Sequence, residues 1–165
     1  MAGESHRFDA DVALRGADRL VVEISGAVGG PRAILALEGA NVVVLLPAER
    51  SYIAGPADKA LFQALVGLPV DGPSLIRLMA FVGSAGNQEE VVSGLRVARQ
   101  DDGSITAAPL DPDPSGFLGL TMRVRDREDV PAGSLPESLF SPAIPDGWRR
   151  LSPERDAAGG PLLLP

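Results

Sequence analysis

The 165-residue chain has no cysteine, a single histidine and a single lysine, and only 4% of its residues are aromatic. The missing cysteine excludes disulfides, thiolate metal ligands and a lipid-modified cysteine within this sequence. The histidine, His6, sits in a polar stretch beside the start. A Ser-His-Asp triad would have to be built on it, and its surroundings read as a solvated terminus. Scarce aromatics, a net charge of −7 and a pI near 4.7 argue against nucleic acid, which needs basic and stacking groups. No run of 18 apolar residues exists that could span a bilayer as a helix. Met1 to His6 lacks the apolar centre of a signal peptide. Taken as it stands, the sequence predicts a cytoplasmic protein; with an upstream export signal removed, it predicts a periplasmic or outer-membrane-attached one.

What is present is an apolar content of 45%, with 19 glycines and 15 prolines. That supports a buried core, and Gly plus Pro stay below the range of about 25–30% typical of low complexity. The length fits one domain, expected over residues 1–150, with 151–165 as a flexible tail.

The first third reads as strands. Phe8, Ala10, Val12 and Leu14 alternate with Asp9, Asp11, Ala13 and Arg15, the pattern of a half-buried strand. Leu20–Ile24, Ala33–Leu37, Val42–Leu46 and Ser51–Ile53 follow, separated by short turns rich in Gly, Asp and Asn. Close spacing without intervening helices predicts an antiparallel meander. The period then changes. Pro56 is placed in the first turn of a helix running to Val66, with Ala60, Leu61, Ala64 and Leu65 on one stripe. Gly67-Leu68-Pro69 stops it, and Asp71-Gly72-Pro73-Ser74 opens a second helix with Leu75, Leu78, Met79 and Val82 at helical spacing. Neither helix is long enough to stand alone, so both must dock by their apolar faces. Further strands are expected at Leu95–Arg99 and Ile105–Leu110, joined by a turn at Asp102-Gly103, and at Leu118–Arg127. Leu139-Phe140 and Ile144-Pro145 should tuck onto the core.

Groups able to carry chemistry are few. Glu89-Glu90 and Asp101-Asp102 are adjacent carboxylates, which point to opposite faces of a strand and read as surface or turn residues. The Gly26-Ala27-Val28-Gly29-Gly30 loop precedes a strand, and Gly83-Ser84-Ala85-Gly86 follows a helix; neither offers a helix N-terminus to a phosphate. Arg123, Arg125 and Arg127 read as a wet strand face, the other reading being a surface for an acidic partner or lipid headgroup. What remains is apolar lining: Val21, Leu35, Val43, Leu45, Leu75, Leu78, Met79, Phe81, Leu120 and Met122 are expected around a hydrophobic cavity, against the plainer alternative that they fill the core. No catalytic residue, metal or cofactor is implied.

Read together, Arg19–Ile24, the Gly26–Pro31 loop, Leu35-Ala36-Leu37 with Val42–Leu46, Tyr52, the helix to Leu65, Gly67-Leu68-Pro69-Val70 and Leu75–Gly83 resemble the LolA/LolB-like group of bacterial periplasmic lipoprotein carriers and receptors. The likeness covers about Phe8 to Gly83, and Phe140 with Ile144-Pro145-Asp146-Gly147 resembles the ending of distant LolB-like lipoproteins. It implies a mainly β, α+β fold: an unclosed antiparallel half-barrel covered by two short helices, holding an acyl chain or lipoprotein anchor without catalysis. One methylene exposed to water costs about 0.8 kcal/mol, so a sixteen-carbon chain costs on the order of 12 kcal/mol, which a carrier must offset with an apolar cavity. In LolB-like proteins the Gly26–Pro31 loop presents a large apolar residue to the outer membrane; here it offers Val28. The group also has a strand ahead of Phe8. Its absence here would leave Phe8–Leu14 as an unpaired edge able to pair two chains as a homodimer. From another class, the same shape would serve as a periplasmic interaction or sensor domain that binds a partner protein.

Overall fold

A computed structural model of the protein describes residues 7–26, 30–86, 88–131 and 133–153. The meander is as expected: β1 (Ala10–Arg15), β2 (Arg19–Ser25), β3 (Pro31–Glu38), β4 (Asn41–Leu46) and β5 (Ser51–Pro56) pair antiparallel in chain order. Helices α1 (Lys59–Val66) and α2 (Gly72–Gly83) follow. A second antiparallel meander holds β6 (Glu89–Val92), β7 (Leu95–Arg99), β8 (Ile105–Pro109) and β9 (Leu120–Met122). Then come α3 (Glu137–Phe140) and a two-residue β10 (Arg149–Arg150), which pairs parallel with β5 and makes the sixth strand of the first sheet. The fold is mostly β, α+β in class. Neither sheet closes into a barrel, and the two apolar helices cover one face of the first.

Register explains the layering. Val22, Leu35, Val44 and Ile53 lie opposite one another across β2 to β5, as do Leu14, Leu20, Leu37 and Val42 across β1 to β4. This inner face forms one cluster with Leu61, Phe62 and Leu65 of α1, with Leu75, Leu78 and Phe81 of α2, and with Val92, Leu95, Val97, Ile105 and Ala107 of the second sheet. The other ladder, Ala13–Val21–Ala36–Val43, faces outward.

The helices are fixed at both ends. Asp58 and Asp71 are their N-caps, accepting from Leu61 N–H (2.8 Å) and Ser74 N–H (2.9 Å). Gly67 ends α1 with φ +69°, a left-handed conformation that favours glycine, and its N–H donates to Gln63 O. Leu68 and Val70 of the break are then buried, so the Gly-Leu-Pro segment belongs to the core. At the far end of α2, Arg99 donates to Ser84 O (2.6 Å) and Arg127 to Gly83 O. Cations there match the negative helix terminus.

After β9 the chain runs past the start of β1, where Arg125 pairs with Asp9 (2.9 Å), and crosses to the outer face of the first sheet. Phe140, with Leu135 and Leu139, packs there on Val21 and Ala36. Glu137 receives Arg15 (2.6 Å) and Arg19, and the Arg15 guanidinium lies 4.5 Å from the Phe140 ring centroid. Residues 133–153 thus form a strap from the β1 edge to β5 at the opposite edge.

Several expectations are corrected. Pro56 closes β5 instead of opening α1, because Ala57 is still held to the sheet through its N–H to Ala40 O (2.8 Å). The strand expected over Leu118–Arg127 lasts only from Leu120 to Met122: Met122 faces Ile105, the first residue of β8, so there is nothing further to pair with. Arg123, Arg125 and Arg127 therefore do not share a strand face; they turn to Asp102 (2.8 Å), Asp9 and Asp129. Strand β6, left out of the sequence reading, has one buried residue, Val92. Leu139 and Phe140 dock as expected, while Ile144 is 39% exposed. Leu151, assigned above to the tail, belongs to the core, and residues 154–165 lie outside those described.

Two predictions follow from this packing. A Cβ on Gly72 would lie 2.6 Å from Ala57 Cβ and 3.0 Å from Leu37 Cδ2. Gly72→Ala should therefore lower unfolding free energy by about 1–3 kcal/mol in urea titrations, despite alanine's better helix propensity. The Glu137 carboxyl is held below the usual glutamate range, first by the Arg19 hydrogen bond and then by the charges of Arg19 and Arg15. Its contribution is complete above the unfolded-chain value of about 4.3 and drains as pH falls through the lowered folded value. The stability gap between wild type and Glu137→Gln should thus be flat above that range and vanish on strong acidification, as read by thermal midpoints across pH.

Candidate functional site

The structure divides the ten residues expected around a cavity. Leu35, Leu75, Leu78 and Phe81 are buried within the inner layer, with Leu78 fully enclosed. Met79, Leu120 and Met122 are half-buried and pack on the margin of that layer. Val21, Val43 and Leu45 lie on the opposite, outer face, where Val21 meets Phe140. The ten therefore do not converge on a single hollow, and Val28 lies outside the described residues. Among the described residues, no three His, Asp or Glu side chains gather as metal ligands would.

An open groove of about 850 Å³ lies elsewhere, at the β5 edge of the first sheet. One wall is the second half of β5, Ile53 to Pro56. The other is α1, through Ala60, Leu61, Gln63 and Ala64, with the N-cap Asp58 at its entrance. Arg150, Leu151, Ser152 and Pro153 close the remaining side. The surface is mainly apolar, and three of its residues, Ile53, Leu61 and Leu151, are also part of the core. The groove is a side entrance to the inner layer.

Its existence follows from how β10 ends. Arg149 N–H donates to Arg50 O (3.0 Å) and Leu151 N–H to Tyr52 O (2.8 Å), the regular step of a parallel pair. The next donor in that series would come from residue 153, a proline, which has no N–H. Arg150 supplies the missing bond with its side chain, donating to Ala54 O at 2.7 Å. Pro56 leaves no N–H to offer further along β5. The β5 edge beyond Tyr52 is therefore poorly suited to accept another strand, and the space beside it stays open. On α1, alanines at positions 60 and 64, four apart, put two small side chains on the groove-facing ridge.

The sequence did place Ala60, Leu61 and Ala64 on one stripe, as a core-facing one. It gave no sign that a two-residue strand 98 positions after Ser51 would return to β5 and form the third wall. No family model, curated protein or solved structure matches this chain.

Asp58 fixes the start of α1 and hence the groove wall. Asp58→Ala should lower unfolding free energy by about 1 kcal/mol, and Asp58→Asn, which keeps the acceptor, by much less, as measured by denaturant titration.

Proposed function

We propose that the protein binds an acyl chain or lipoprotein anchor without catalysing a reaction, the hydrocarbon lying in the groove between β5 and α1. The observation that carries this reading is the groove itself: about 850 Å³, lined mainly by apolar side chains and continuous with the inner layer through Ile53 and Leu61. Its size lies in the range of roughly 300–1,000 Å³ usual for small-molecule sites. Over about Phe8 to Gly83, a meander followed by two covering helices is also the order that the LolB-like resemblance implies. An apolar chain leaving water for such a surface gains about 25 cal/mol per Å² buried, and no poised acid, base or nucleophile is required of the site.

A second reading, a module that binds a partner protein, is favoured by a different observation. Strand β1 is an edge of the first sheet, with Phe8 and Val12 beside it 39% and 46% exposed. An open edge with apolar residues recruits another strand, from a second copy or from a partner.

Solvent extraction of the purified protein followed by mass spectrometry should release acyl species, and the extracted protein should bind a fluorescent fatty acid. Ala60→Trp and Ala64→Trp place an indole in the groove; each should weaken that probe by about tenfold or more, equivalent to about 1.4 kcal/mol. The thermal midpoint checks that each variant is folded. Absence of acyl species together with no probe binding by wild type would overturn the acyl reading. Probe binding unchanged in both folded variants would remove it from this groove.

A further inference from the structure

Seven of the thirteen described arginines on this acidic chain have carboxylates. Arg15 and Arg19 share Glu137, Arg77 pairs with Glu90, Arg96 with Glu89, and Arg123, Arg125 and Arg127 pair with Asp102, Asp9 and Asp129. Among the described residues Arg7, Arg32 and Arg99, and likewise Arg50, Arg149 and Arg150, have no carboxylate within ion-pair distance, and the last three are exposed. They are also neighbours, since β10 docks beside β5 with Arg149 N–H on Arg50 O and Arg150 opposite Tyr52.

This cluster stands at one end of the groove. Arg150 is part of the lining, and its bond to Ala54 O uses one of the five N–H donors of its guanidinium. Arg149 precedes it on β10 and stands just outside the lining, adding positive charge to the same end. The single carboxylate of the lining, Asp58, sits at the other end beyond Pro56, with an oxygen engaged by Leu61 N–H. The Arg150 guanidinium at Ala54 O is two residues short of Pro56 on β5, about 7 Å at the usual strand rise. The groove is therefore polarised, cationic at β10 and anionic at the start of α1, with apolar walls between.

Resting on the acyl-binding reading above, we infer that the ligand is an anionic amphiphile. Its carboxylate or phosphate head lies on Arg150, with the positive charge of Arg149 nearby on the same strand, and its tail runs along Ile53, Leu61 and Ala64. Arginine suits such a head because its planar donors engage two oxygens at once. Asp58 sets the orientation by repelling the head from the opposite end.

Titration of the extracted full-length protein with dodecanoate and with dodecanol, equal in chain length and different in charge, tests this. Dodecanoate should bind about tenfold more tightly than dodecanol, with the advantage shrinking as salt is raised. The double substitution Arg149→Gln with Arg150→Gln should close the gap between dodecanoate and dodecanol, the loss falling on dodecanoate by about tenfold more than on dodecanol. Asp58→Asn, which retains the helix cap, should tighten dodecanoate alone, and decides the matter should the double variant fail to fold. Equal binding of the two ligands, unmoved by either substitution, would overturn the headgroup assignment and leave the acyl reading standing. Binding of neither would overturn both. Glycerol 3-phosphate binding as tightly as dodecanoate would overturn the amphiphile by showing that the anion alone suffices.

Discussion

The structure depends on one constraint: the central strands of the first sheet are apolar on both sides, so both faces of that sheet must be covered. Strands β2 to β4 carry Leu20, Val22, Leu35, Leu37, Val42 and Val44 toward one side and Val21, Ala36, Val43 and Leu45 toward the other. Two helices and a second sheet suffice for the first side. The second side has no regular layer available and is met by the strap of residues 133–153, with Phe140 seated on Val21 and Ala36. The ion pairs from Arg15 and Arg19 to Glu137 are exposed and of small individual weight, and they fix where the strap lies.

The same constraint accounts for what could be read from the sequence. Turns at Gly16-Ala17-Asp18 and Glu38-Gly39-Ala40-Asn41, with short apolar runs between them, were enough to give the meander in order. The change of period after Pro56 and the start at Asp71, before an apolar stripe, gave both helices, the first begun a few residues early because Pro56 suits a first turn as well as it suits a strand end. Facing was harder. When a strand is covered on both sides, its alternation disappears, and Val42 to Leu46 reads as one unbroken apolar run. That is why Val21, Val43 and Leu45 were grouped with Leu35 although they point the other way. The groove was less legible still, because its third wall depends on a tertiary pairing of Arg149 and Arg150 with Ser51 and Tyr52, and two residues carry no periodicity.

The two ends of the first sheet are treated differently. At β1 the backbone edge carries no further strand among the described residues, and apolar side chains stand beside it. At β5 the edge is occupied for two residues and then blocked by Pro153, Arg150 and Pro56. The first leaves backbone groups open to another strand, among the described residues; the second keeps strands away and leaves a groove. A lipid-binding reading and a partner-binding reading accordingly rest on opposite edges, and neither site overlaps the other.

The strap also bears on the order of events in folding. Arg15 meets Glu137 across 122 positions, whereas the meander and its helices are built from neighbours and are complete by Gly83. Contacts of such sequence separation carry a large closure entropy and form after local ones. During synthesis, the first sheet and its helices therefore emerge with the Val21–Ala36 face bare until residues 133–153 leave the ribosome. A nascent chain in that interval presents a flat apolar surface beside an unpaired strand, the combination most prone to association, and so the one most in need of a chaperone.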